Sequence, residues 1–137
     1  MKIFKAKEIV SGECFGEPFI VEHKISFFGE VDPSKGIIKG YDGSFKNKVL
    51  LIPGTRGSTV GSYIIYALKE YNTAPKCIIA GEAEPILIVG CILSNIPLLE
   101  VTDFNGLINC IRSDNGYVIY RRDLGGVVVE KRHSNSH

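Results

Sequence analysis

The sequence predicts an α/β fold with a parallel βαβαβ middle, wrapped by β segments from both termini. Three observations lead there. Between residues 48 and 101, short apolar runs alternate with helix-length segments. The first 22 residues read as strands, because apolar and polar residues alternate or short apolar runs end at glycine and charge. The tail combines β-branched runs with turn dipeptides. At 137 residues the simplest organisation is one domain, 1–137, long enough to bury a core.

Taken in order, residues 2–10 and 17–22 are the first strands. The stretch FFGEVDPSKGIIKGYDGS follows, rich in Gly, Asp, Pro and Ser, and reads as a long irregular excursion. Asp32-Pro33 within it is first a turn former. Phe27 and Phe28 beside it read as exposed aromatics that contact a partner. Residues 48–52 form a buried strand. Residues 58–71 then form a helix with Val60, Ile64, Ala67, Leu68 and Tyr71 on one face. Residues 76–80 are a second strand, 83–93 a second helix and 96–101 a third strand. This order demands parallel strands and right-handed crossovers. In the tail, Asn115-Gly116 predicts a hairpin turn and residues 123–126 a second turn, leaving 117–121 and 127–131 antiparallel. RHSNSH reads as a frayed end, with His133 and His137 solvated rather than metal-bound.

Sixteen basic and fifteen acidic side chains leave a net charge of +1, spread without the basic patch that nucleic-acid binding requires. The longest apolar runs are too short for a bilayer, and MKIFKAKEIV lacks a signal-peptide core. A soluble cytoplasmic protein is expected. The four cysteines, Cys14, Cys77, Cys91 and Cys110, are far apart, whereas zinc and iron–sulfur ligands cluster. They read as buried reduced thiols that behave as small hydrophobes.

The chemistry concentrates in GTRGSTVGS, between the first buried strand and its helix. Ser58 reads structurally as the helix N-cap. A functional reading stands beside it. Gly54, Gly57 and Gly61 permit close approach of a ligand, the helix start favours an anion, and Arg56 adds a permanent positive charge. The spacing excludes a Walker loop, a dinucleotide fingerprint and a hydrolase elbow. There remains a serine beside an arginine at a helix start, where its alkoxide could be stabilised. Ser62, four residues on, either faces the same ligand or bonds back to a carbonyl of its own helix. Thr59 reads as a helix-start residue. Glu84 reads as a first-turn carboxylate, and Glu82 is open to either a structural or a site role.

PGTRGSTVGSYIIYAL, with FFGEVDPSKGII upstream and EAEPILIVGCILSNIPLL downstream, resembles the small, swivelling-domain subunit of the aconitase X family over nearly the whole chain. The resemblance implies a swivelling β/β/α fold and a larger partner subunit that carries a [4Fe-4S] cluster, with no cofactor on this chain. In archaea the separate small subunit belongs to phosphomevalonate dehydratase, and related bacterial members are hydroxyproline dehydratases. The first serine of the family's G-S-T motif, Ser58 here, is then the catalytic base. The arginine that follows the serines of ordinary aconitases is replaced by Val60-Gly61. Arg56 could take its place in substrate binding, with Gly57, Thr59 and Ser62 around it.

The implied reaction dehydrates (R)-5-phosphomevalonate to trans-anhydromevalonate 5-phosphate in isoprenoid biosynthesis. Ser58 takes a proton from the carbon next to the carboxylate, and the partner's cluster assists departure of the hydroxyl. The alternatives are a dehydratase small subunit for another hydroxy acid such as hydroxyproline, a non-catalytic anion-binding module, and a regulatory subunit that docks through Phe27 and Phe28.

Overall fold

The computed structural model describes residues 1–132; His133 and His137 lie outside the described residues. Its centre is the predicted parallel unit: β6 (Val49–Ile52), α2 (Gly61–Glu70), β7 (Cys77–Ala80), α3 (Pro85–Ser94) and β8 (Leu98–Val101). Every residue of β6 and β7 is buried, as strands covered on both faces require. Alternation sends Leu50 and Ile52 into the core beneath α2 and α3. Val49 and Leu51 enter a second core on the opposite face.

The termini complete an eight-stranded sheet. β1 (Phe4–Val10) pairs antiparallel with β8 and with β10 (Gly126–Lys131). β9 (Gly116–Arg121) pairs with β10 and with the two-residue β2 (Phe15–Gly16). β3 (Pro18–Ile20) lies parallel to β6 at the other margin. The order is β2-β9-β10-β1-β8-β7-β6-β3, so the parallel middle is wrapped from both ends, as the sequence predicts. Among the described residues no helix is long and apolar enough to cross a membrane.

Five expectations are corrected. The tail is not wholly β: Phe104–Asp114 form a helix, α4, with Phe104, Leu107, Ile108 and Ile111 buried against the second core. Asp103 caps it, accepting the Gly106 N–H at 3.1 Å. Asn115 is therefore no hairpin residue but the left-handed cap of α4, φ 48°; both settings favour Asn-Gly because both need positive φ. The excursion after β3 is also more ordered than expected. It holds α1 (Phe27–Glu30) and an antiparallel pair, β4 (Val31–Asp32) with β5 (Ile37–Ile38). Asp32 turns the chain by accepting the Ser34 N–H and hydroxyl at 3.0 and 2.7 Å.

The buried stripe of α2 is Gly61, Ile65 and Leu68, whereas Val60 and Tyr71 are exposed. Close packing on α3 sets this face. A side chain at Gly90 would place its Cβ 2.6 Å from the Ile65 Cδ1, so glycine lets the two helices touch. The cysteines are not all reduced: Cys14 and Cys77, 63 residues apart in sequence, form a disulfide with Cα atoms 5.4 Å apart. Both lie in the second core, although β2 and β7 are not neighbours in the sheet. Cys91 and Cys110 are free.

Candidate active site

The turn bearing Ser58 leaves the C-terminal end of β6, where parallel sheets place ligands. Its first half is anchored to the segment before α1. The Ile25 N–H donates to the Gly54 carbonyl at 3.2 Å, and the Arg56 N–H donates to the Ile25 carbonyl at 3.0 Å. Thr55, bridged to Ile25, is only 6% exposed. The chain then bends outward at Gly57, φ 106°. An added Cβ there would lie 3.0 Å from the Ser26 Oγ, so position 57 requires glycine on both counts.

Beyond the bend, Ser58, Thr59 and Val60 are exposed. Ser58 is not the helix cap that sequence spacing suggests. The cap of α2 is Val60, without a side-chain bond, and the Ser58 Oγ accepts the Val60 N–H at 3.3 Å. The Gly61 and Ser62 N–H groups donate to the carbonyls of Ser58 and Thr59, at 3.1 and 3.3 Å. A tight turn thus precedes the helix, and Ser58 and Ser62 do not share a helical face. The Ser62 hydroxyl donates to the Thr59 carbonyl at 3.0 Å, the local back-bond that was one of its two readings. Among the described residues the N–H groups of Gly57, Ser58 and Thr59 have no partner. Three successive N–H groups are thus open to an acceptor.

Arg56 is held along one edge. Its Nη2 donates to Glu30 Oε1 at 2.9 Å and its Nε to the Lys24 carbonyl at 3.2 Å, while the side chain is 62% exposed. Glu30 is the hub of this arrangement. Its Oε1 also accepts the Ser26 N–H at 2.9 Å, and its Oε2 lies 2.7 Å from His23 Nε2. His23 stacks on Tyr41, with Nδ1 3.0 Å from the phenol oxygen. The hydrogen bonds from His23 and the Ser26 N–H, with the Arg56 charge, hold the Glu30 carboxyl below its usual range.

Ser58 lines a notch with Ser26, Phe27, Phe28, Gly61 and Glu84. It encloses about 10 Å³, room for roughly one water. Phe27 is buried at 2% exposure and Phe28 stands out at 63%, so the two aromatics do not form the exposed pair predicted. Glu84 caps α3 without a side-chain bond and is one of the residues that line the notch. Glu82 is exposed, with its N–H on the Pro53 carbonyl at 3.0 Å. Sequence reasoning missed Glu30, His23 and Lys24. Ser26-x-x-x-Glu30 lies one residue from the capping-box spacing, a signal available in the sequence.

A serine turn at the end of a parallel sheet edged by antiparallel strands describes the candidate site, and comparison with known proteins defines the family. Residues 3–134 match the aconitase X swivel domain, and the chain belongs to that family. It is 44% identical over 108 residues to the phosphomevalonate dehydratase small subunit of Thermococcus kodakarensis, covering 75% of this chain and 81% of that one. It is 47% identical over 97 residues to the protein of the same name from Aeropyrum pernix, covering 71% and 72%. The crystal structure of Thermococcus kodakaraensis aconitase X in its holo-form superposes with a TM-score of 0.80 at 37% identity, covering 96% of this chain and all of that one.

Proposed function

We propose that this chain, as one swivelling domain, is the small subunit of a cytoplasmic phosphomevalonate dehydratase, a hydro-lyase active only with a large subunit. The substrate is (R)-5-phosphomevalonate and the product trans-anhydromevalonate 5-phosphate. One observation carries the reading: the first serine of the G-S-T turn is exposed beside three open N–H groups and a fixed arginine. Identity of 44–47% to proteins named for this activity supports the substrate.

In this reading Ser58, as alkoxide, accepts the proton from the carbon next to the substrate carboxylate; the hydroxyl on the neighbouring carbon departs and a double bond forms. The open N–H groups of Gly57, Ser58 and Thr59 and the dipole of α2 stabilise the alkoxide. Arg56 binds a substrate anion through its free edge. Ser62, whose hydroxyl proton is already donated, orders the turn and can still accept a bond. The cysteines of this chain do not fit the [4Fe-4S] cluster that the family implies. Cys14 and Cys77 are joined, Cys91 is buried with its thiol pushed up to about 12, and Cys110 stands apart. We therefore assign the cluster to the large subunit.

The notch cannot enclose a phosphorylated hydroxy acid, so the partner must supply the other wall of the site. Anaerobic co-purification with the large subunit tests the proposal, followed by dehydration assays with phosphomevalonate and with hydroxyproline. Turnover of phosphomevalonate is expected. Turnover of hydroxyproline alone transfers the reading to the other hydroxy acid.

A further inference from the structure

We infer that Glu30 is a positioning residue that sets Arg56 as a preorganised receptor for the substrate anion; the inference rests on the role proposed above for Arg56. A guanidinium carries five N–H donors in a rigid plane. Here one edge is committed, Nε to the Lys24 carbonyl at 3.2 Å and Nη2 to Glu30 Oε1 at 2.9 Å. That leaves three N–H donors on an exposed side chain, enough for a two-point grip on carboxylate or phosphate. An unanchored arginine would lose rotamer freedom on binding. Anchoring before the substrate arrives removes much of that cost.

Glu30 is itself well fixed. Its side chain is 15% exposed and it is held by Ser26, His23 and Arg56 together. Both Ser26 and Arg56 use the same oxygen, Oε1. Glutamine can therefore keep both bonds through its carbonyl, whereas alanine removes them. That difference separates the geometry of the residue from its charge.

The assembled complex should show KM raised roughly tenfold in Glu30→Ala, by threefold or less in Glu30→Gln, with kcat within about twofold of the parent in both. In an Arg56→Ala background, Glu30→Ala should add nothing further to KM. A loss of kcat at unchanged KM overturns the inference, as does an additive effect in the double variant. An independent readout uses the isolated full chain. The Arg56 Nε–H resonance, protected by its carbonyl bond, should exchange slowly in the parent and Glu30→Gln and rapidly in Glu30→Ala. Unchanged exchange in Glu30→Ala refutes the positioning role even if the complex proves to have a different activity. Slow exchange in the parent with no dehydration faults the proposed function instead.

Discussion

Reducing the Cys14–Cys77 disulfide should destabilise the chain by about 4 kcal/mol. The figure follows from the 63 residues that separate the two cysteines. Closing a loop of that length removes roughly 14 cal/mol/K of entropy from the unfolded chain, or about 4 kcal/mol at 25 °C. For a domain of this size the midpoint of thermal unfolding should fall by roughly 10–15 °C. Cys14 is 2% exposed and Cys77 fully buried, so reductant reaches the bond only when the chain unfolds. The experiment therefore reduces the protein in denaturant, refolds it with reductant, and compares its melting curve with that of the oxidised protein.

A thiol titration accompanies the melts. The oxidised chain, unfolded in guanidinium without reductant, should show the two free thiols of Cys91 and Cys110. Folded, only the half-buried Cys110 should react, since Cys91 is buried and its thiol is pushed up to about 12 by desolvation. Four thiols in guanidinium, or identical melting of the reduced and oxidised proteins, would falsify the reasoning.

Three other outcomes are expected. Ser58→Ala should lower kcat of the assembled complex by roughly a hundred- to ten-thousandfold with KM little changed, while Ser62→Ala stays near normal; the reverse pattern assigns the base to the wrong serine, and full activity in both leaves the turn only an anion holder. Gly57→Ala should destabilise the chain by roughly 1–2 kcal/mol, because the residue sits at φ 106° with Ser26 Oγ 3.0 Å from the new Cβ; an unchanged melt shows that the turn relaxes. The bidentate bond from Arg122, aided by the Ser11 and Tyr120 hydroxyls, lowers the Glu8 carboxyl to about 2 from 4.5. Its stabilising effect is complete above about 4.5 and lost as pH falls through about 2, so Glu8→Gln should flatten the pH dependence of the melting temperature in that window, and a parallel profile contradicts this role.

The parallel middle was legible because its strands are buried on both faces and read as unbroken apolar runs. The features that escaped depend on contacts distant in sequence or on residues with two uses. Asn115-Gly116 suits a hairpin and a helix end equally, and only the apolar spacing of Phe104, Leu107, Ile108 and Ile111 decides between them. The start of α2 lies three residues beyond Ser58 because Gly57 bends the chain outward before the helix begins. Cys14 and Cys77 meet in the second core, a contact that spacing does not reveal. The candidate turn was visible in its composition, but the partner of Arg56 was not, since Glu30 reaches it across 26 residues.

The exposure of Ser58 constrains how the proposed base could work. In water, the charge of Arg56 and the dipole of α2 are strongly attenuated, by the dielectric constant and by salt. A serine hydroxyl there has little reason to ionise, even with three N–H groups beside it. Covering the turn changes the balance. Water leaves, and the same N–H groups and guanidinium act at lower effective dielectric on whatever negative charge replaces it. On this view the chain supplies fixed geometry, while the docked large subunit supplies the dry surroundings that make the geometry effective. Phe28, 63% exposed on the rim of the notch, is placed to be covered in the same step. On the proposed reading, division of the site between two chains keeps Ser58 inactive until both walls are present.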